Sequence, residues 1–128
     1  TNYGAAKLAQ VGFMNSLKIE GAKNNIHTNT IAPIAATRMT ESLIPEAVHS
    51  KLAPESVTPA ALFLVSEEAP NGVIMQAEGG RFSVASIVEN TGAQLGVDAT
   101  PEDIASNYDM ISDLEGAKPK GMMQINLP

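Results

Sequence analysis

The chain begins with a helix-forming segment that is apolar around most of its circumference. Residues 4–19 contain eleven apolar or glycine positions and five polar ones. A surface helix needs one apolar stripe, whereas a helix that is apolar on most sides is covered on two of them. The segment therefore predicts a helix over residues 3–20 that packs against a sheet on one side and a second helix or subunit on the other.

Strand-like and helix-like segments alternate along the rest of the chain. The predicted elements are a strand over residues 26–32, a small amphipathic helix over 39–52, a helix capped by Thr58, a strand over 73–77 and a helix capped by Thr100. The order helix–strand–helix–strand is typical of a parallel sheet with covering helices. Two parallel strands are too few for a stable sheet, so we expect one side of an α/β domain whose other strands lie elsewhere.

Charge and cysteine content exclude several classes of function. Seven acidic residues and no lysine or arginine occur in residues 82–117, and the net charge of the chain is −6. A basic face for nucleic acid is therefore not expected, and the acidic stretch is interpreted as a solvated face. The chain has no cysteine, which excludes disulfides and thiolate chemistry. Its two histidines, His27 and His49, are too isolated to predict a metal site.

Hydropathy gives no indication of membrane insertion or export. The longest apolar-rich stretch, residues 8–19, is interrupted by four polar residues and does not predict a bilayer-spanning helix. The N-terminus lacks the charged and apolar regions of a signal peptide, and no other targeting signal is visible. We therefore expect a soluble intracellular protein located in the cytoplasm.

Tyr3 and Lys7 are the residues whose spacing most directly predicts chemistry. Four residues apart on a helix, they lie on one face about one turn from each other. A phenol ordinarily has a pKa near ~10, and a nearby ammonium lowers it, which makes such a pair suitable for proton transfer. The pattern is short enough to occur by chance. By itself it leaves open the alternative that Tyr3 is an ordinary exposed aromatic residue.

The order of segments after this pair resembles that of a known family. Tyr3 opens a small-residue helix, followed by the runs Asn29 to Pro33 and Thr37 to Met39, and then by the glycine-terminated segment 72–80. This arrangement resembles the C-terminal half of the short-chain dehydrogenase/reductase family. Residues 100–119 are similar to an extension found in one subgroup, the (3R)-hydroxyacyl-CoA dehydrogenase domains of multifunctional β-oxidation enzymes.

The resemblance implies a fold, a reaction and a set of site residues. It implies the C-terminal portion of a Rossmann-type, doubly wound parallel sheet, incomplete in this chain, and oxidation or reduction of a secondary hydroxyl or ketone. Tyr3 would be the catalytic acid/base, and Lys7 would assist it and contact the nicotinamide ribose. A helix after Met39 would cover the substrate. The residues implied to bind the cofactor, NAD or NADP, are Tyr3, Lys7, Pro33, Ile34, Ala35 and Thr37.

The resemblance also predicts what the chain does not do alone. The family's glycine-rich phosphate loop has no counterpart in these 128 residues, so the separate chain is expected to be inactive. The predicted organisation is a dehydrogenase portion over residues 1–117 and a linker or tail over 118–128. The partners expected are an acyl-CoA or other small substrate and a second copy, bound through the Tyr3–Ile19 helix. The alternative is a non-catalytic module that uses this helix only for subunit association.

Overall fold

The computed structural model describes residues 1–40 and 42–119, which divide into two compact units, Thr1–Ala85 and the unit that begins at Ser86. The first unit contains α1 (Asn2–Ala22), β1 (Thr30–Ile34), α2 (Thr58–Leu64), β2 (Ile74–Glu78), β3 (Arg81–Ala85) and two 3₁₀ helices, Glu46–Leu52 and Pro54–Val57. The second contains β4 (Val88–Glu89), α3 (Pro101–Ser106), α4 (Tyr108–Ser112) and β5 (Lys118–Pro119). The predicted limit at residue 117 stays a prediction, and most of the predicted tail, residues 120–128, lies outside the described residues.

The first unit is built on a three-stranded sheet in the order β1-β2-β3. β1 pairs in parallel with β2, with Thr30 opposite Ile74, and β2 pairs antiparallel with β3, with Gln76 opposite Ser83. The parallel pair agrees with the predicted α/β pattern, but the expectation of only two strands was wrong. Gly79 and Gly80 have φ values of 50° and 87°, so they form a two-residue hairpin turn that leads into β3.

Two other predicted elements differ from the structure. The strand expected over residues 26–32 lies at Thr30–Ile34 and includes Pro33. Proline is tolerated there because β1 is an edge strand of the described sheet, where one row of N–H groups needs no partner. The helix expected over residues 39–52 is reduced to the 3₁₀ helix Glu46–Leu52, since Pro45 precedes it and hydroxyl hydrogen bonds organise residues 37–40 as a turn.

Of the two predicted threonine caps, one is confirmed. Thr58 lies inside α2 rather than capping it. Thr100 caps α3 in a reciprocal arrangement, in which its hydroxyl accepts from the Asp103 N–H at 3.2 Å and its own N–H donates to the Asp103 carboxylate at 2.9 Å. The backbone and side-chain hydrogen bonds from Thr100 hold the pKa of Asp103 below its usual value, because they favour the charged carboxylate.

The side chain of Asn29 fixes where β1 meets β2. Its Oδ1 accepts from the N–H groups of Gly72 and Val73 at 3.0 and 3.1 Å, and its Nδ2 donates to the Pro70 carbonyl at 2.6 Å. The N–H of Thr30 then donates to the Val73 carbonyl at 2.9 Å, directly before the first residue pair of the ladder. One half-buried amide therefore holds the turn before β2 against the start of β1.

α1 is buried on one side only. Val11 and Met14 face the sheet and are buried, and the Thr30 hydroxyl donates to the Met14 sulfur at 3.1 Å. Elsewhere on the helix Leu8 is 64% exposed and Phe13 is 66% exposed. The sheet thus covers α1 on one side, as predicted, and the second side that was predicted to be covered is exposed. Within the described residues, no helix combines the length and apolar character needed to cross a membrane.

Candidate functional site

A cleft of about 450 Å³ lies between α1 and the sheet of the first unit. From α1 it is lined by Tyr3, Lys7, Gln10 and Val11, and from the sheet by residues of all three strands. The wall supplied by α1 follows from helix geometry, because Tyr3, Lys7 and Gln10 recur at intervals of three or four residues. One helix face therefore supplies a phenol, an ammonium and an amide to the same space.

Tyr3 and Lys7 are brought together in this cleft. The Lys7 Nζ lies over the Tyr3 ring, 5.5 Å from its centroid, which is within the range of a cation–π contact. Tyr3 is 69% exposed, and its hydroxyl has no hydrogen-bond partner among residues 1–40 and 42–119. The arrangement leaves the phenol accessible to a ligand and places the Lys7 ammonium over the face of its ring.

The residues predicted to bind the cofactor are divided between two cavities. Pro33 and Ile34, at the end of β1, line the same cleft as Tyr3 and Lys7. Thr37 instead lines a second cavity of about 470 Å³, and Ala35 lines neither of the two. The six predicted residues therefore do not all line one cavity in this structure, and their roles stay predictions.

β2 and β3 contribute to the cleft four polar residues that were not among the predicted site residues. Gln76 lies opposite Ser83 and Glu78 opposite Arg81, so all four share one face of the hairpin. The Ser83 hydroxyl donates to the Gln76 Oε1 at 2.9 Å. The signal that could have revealed them was the Gly79-Gly80 pair between two strand-like runs, which predicts a hairpin and pairs these positions across it.

Each histidine contacts a backbone carbonyl group in the structure. The His27 Nδ1 lies 2.9 Å from the Ala69 carbonyl oxygen, and the His49 Nε2 lies 2.9 Å from the Ile44 carbonyl oxygen. Across the part of the chain that the structure describes, no three or more histidine, aspartate or glutamate side chains are grouped as a metal site requires. These contacts give both imidazoles a role in holding backbone segments.

Known proteins match this chain over nearly its whole length. A Mycobacterium tuberculosis protein named as a short-chain type dehydrogenase/reductase is 46% identical over 122 residues, which are 94% of this chain and 43% of the relative. Peroxisomal multifunctional enzyme type 2 of Mus musculus is 40% identical over 128 residues, which are 96% of this chain and 17% of the relative. No family model matches the sequence.

Solved structures agree with the sequence matches. Full-length peroxisomal multifunctional enzyme type 2 from Drosophila melanogaster superposes with a TM-score of 0.78 at 30% identity, over 94% of this chain and 22% of that one. A short-chain dehydrogenase from Mycobacterium avium gives a TM-score of 0.64 at 30% identity, over 93% of this chain and 40% of that one. The predicted resemblance and the α/β fold class are confirmed. The chain spans less than half the length of these relatives.

Proposed function

We propose, because this chain is related to one part of the short-chain dehydrogenase/reductases, that it carries the proton-transfer residues of an oxidoreductase of that kind. The observation that carries the proposal is the Tyr3–Lys7 pair, with Nζ 5.5 Å from the ring centroid in an open cleft. Tyr3 is the acid/base that exchanges a proton with the substrate hydroxyl or ketone oxygen. Lys7 is the cation that stabilises negative charge on the phenol oxygen during that exchange.

The residues around the pair fit a nicotinamide cofactor, NAD or NADP. Pro33 and Ile34 offer an apolar surface for the planar ring, and the Lys7 ammonium offers donors to sugar hydroxyls in the same cleft. When bound, the cofactor accepts or donates the hydride of the redox step. Tyr3 and Lys7 hold the proton side of the reaction, while Pro33 and Ile34 exclude water from one wall of the site.

The proposed substrate is a (3R)-3-hydroxyacyl-CoA or the corresponding ketone. This assignment is supported by the similarity to peroxisomal multifunctional enzyme type 2, which covers 96% of this chain and so includes residues 100–119. Met39 and Leu43, which are 85% and 79% exposed, provide apolar side chains beyond the loop that follows β1. They are suitable to contact an acyl chain.

The test is stereospecific oxidation by the longest natural form of the protein. With NAD⁺ or NADP⁺ and a (3R)-3-hydroxyacyl-CoA, we expect the absorbance of the reduced cofactor to rise. The (3S) isomer is expected to react at least about tenfold more slowly, because the hydrogen on the hydroxyl-bearing carbon must face the cofactor. The 128-residue chain alone is expected to show no turnover and no tight NADH binding in a fluorescence titration. Equal rates with the two isomers would contradict the substrate assignment.

A second candidate function, subunit association, is favoured by the open side of α1. Ala5, Ala9, Gly12 and Ser16 form an exposed row of small residues beside the exposed Phe13, which allows a second helix to approach closely. We infer that a second copy of the chain packs there. This function is compatible with the catalytic one, because Tyr3 and Lys7 line the cleft on the sheet-facing side of the helix.

Light scattering after size-exclusion chromatography tests the association. The wild-type chain is expected to run as a dimer or larger species, and Phe13→Glu to shift it toward monomer, because the substitution places a charge in an apolar contact. Val97→Glu is the matched control, since Val97 is 100% exposed and lies in the second unit. A monomeric wild type, or an equal shift by both variants, would contradict association through α1.

A further inference from the structure

The second cavity of the first unit is built from two backbone segments that are tied together. It occupies about 470 Å³ and is lined by Ala36, Thr37 and Arg38 on one side and by residues of the segment 49–54 on the other. The Ala36 N–H donates to the Leu52 carbonyl at 2.7 Å, which joins the two walls through the main chain. The two walls of the cavity are therefore held together by a main-chain hydrogen bond.

The wall that carries Arg38 is held in a hydroxyl-stabilised turn. The Thr37 N–H donates to the Thr40 Oγ1 at 2.8 Å, and the Thr40 hydroxyl donates to the Ala35 carbonyl at 2.9 Å. The Met39 N–H lies 3.3 Å from the Thr37 Oγ1 and donates to it. These hydrogen bonds fix the backbone on both sides of Arg38. They therefore fix the position of the Cα atom from which the Arg38 side chain extends.

The polar groups that line this cavity favour an anion. Arg38 is the single residue with a full charge among its lining residues, and no carboxylate lines it among the described residues. Thr37 and Ser50 add hydroxyl donors. The half-buried His49 is oriented because its Nε2 donates to the Ile44 carbonyl at 2.9 Å. A guanidinium binds the oxygens of a phosphate or a carboxylate in pairs, and phosphate is the one of these groups that a CoA thioester and a dinucleotide carry.

We propose that Arg38, together with Thr37 and Ser50, binds a phosphate group of a ligand whose reactive end lies in the Tyr3 cleft. The two cavities follow one another along the chain, since Ile34 lines the first and Ala36 the second. Two residues of extended chain span roughly 7 Å. A cavity of about 470 Å³ exceeds the needs of a free phosphate ion, and suits a phosphate that belongs to a larger molecule.

Two ligands of the proposed reaction carry such a phosphate, namely the acyl carrier of a CoA thioester and the dinucleotide cofactor. The inference rests on the proposed function for this choice of ligands. Calorimetric titration of the longest natural form with CoA, pantetheine and NAD⁺ separates the sources. Pantetheine is the control ligand because it is the part of CoA that lacks phosphate.

Arg38→Gln is expected to weaken binding of one phosphate-bearing ligand by about 10- to 100-fold, the range for losing hydrogen bonds to a charged group. Binding of pantetheine should not change, and Lys23→Gln, at an exposed position that lines neither cavity, should bind like the wild type. A loss confined to CoA identifies the acyl carrier, and a loss confined to NAD⁺ identifies the dinucleotide.

The result that overturns the inference is distinct from failure of the proposed function. Unchanged affinity of Arg38→Gln for both CoA and NAD⁺, or a wild type that binds neither, would remove the phosphate site. An Arg38-dependent affinity in a protein that oxidises no hydroxyacyl substrate would instead keep the phosphate site and reject the catalytic proposal. Circular dichroism of Arg38→Gln is expected to match the wild type, because Arg38 is exposed.

Discussion

Tyr3→Phe in the longest natural form of the protein is expected to lower kcat by about 10²- to 10⁴-fold, the range supplied by a positioned general acid or base. The substitution removes only the hydroxyl, and it keeps the ring that contacts the Lys7 ammonium at 5.5 Å. Because Tyr3 is 69% exposed and its hydroxyl makes no hydrogen bond within the described residues, folding stability should change little. Steady-state kinetics with a (3R)-3-hydroxyacyl-CoA measures the effect.

The second tyrosine of the chain provides a matched control. Tyr108 lies in α4, in the second unit, and is 60% exposed. Tyr108→Phe makes the same chemical change outside the cleft, so kcat should stay within about twofold of wild type. Lys7→Met should lower kcat through loss of the charge beside the phenol. Near-normal turnover by Tyr3→Phe would remove the acid/base assignment, whatever Lys7→Met does.

The parts of the site that could be predicted from sequence are those that one helix determines locally. Helical periodicity alone places Tyr3 and Lys7 on one face, and the structure has them together in one cleft. The residues across the cleft depend on strand pairing, which joins β1 to β2 from distant parts of the sequence and β2 to β3 through a turn. Gln76 and Ser83 enter the site only because the Gly79-Gly80 turn pairs β2 with β3.

The errors in the predicted fold have local physical causes. The apolar residues of this segment recur at helical spacing, namely Met39, Leu43, Ile44, Val48 and Leu52. Pro45 and the hydroxyl hydrogen bonds of Thr40 nevertheless favour turns and a 3₁₀ helix over a continuous α-helix. The residues after Gly80 alternate as a strand requires, yet they include Arg81 and Ser83 on the face turned toward α1. A strand with polar residues on that side was not recognised as part of the sheet.

The exposed apolar surface of α1 could be predicted only as a requirement for a covering partner. The composition of residues 4–19 indicates burial on two sides, and the structure shows the sheet on one of them. Sequence periodicity reports which positions are apolar and does not identify what covers them. The Phe13→Glu experiment therefore tests whether a second copy of the chain covers this surface.

Asn29→Ala is expected to destabilise the first unit by about 2–3 kcal/mol, a large share of the stability of a small domain. The substitution removes the acceptor of the Gly72 and Val73 N–H groups and the donor to the Pro70 carbonyl. Gly72 keeps a second bond, since its N–H also donates to the Thr28 carbonyl at 2.9 Å. Val73 N–H and the Pro70 carbonyl lose the partner that Asn29 provides. Urea unfolding followed by circular dichroism measures the change.

Hydrogen exchange then locates the effect of Asn29→Ala. The Thr30 N–H, which donates to Val73, and the N–H groups of β2 should exchange faster, because the turn that aligns the two strands is no longer held. Asn24→Ala is the control, as Asn24 lies in the exposed turn after α1, and it should cost less than about 0.5 kcal/mol. Equal stability losses in the two variants would show that the register of β1 and β2 does not depend on Asn29. A selective loss at Asn29 would identify this amide as the group that positions Pro33 and Ile34 beside Tyr3, because both residues follow in the same strand.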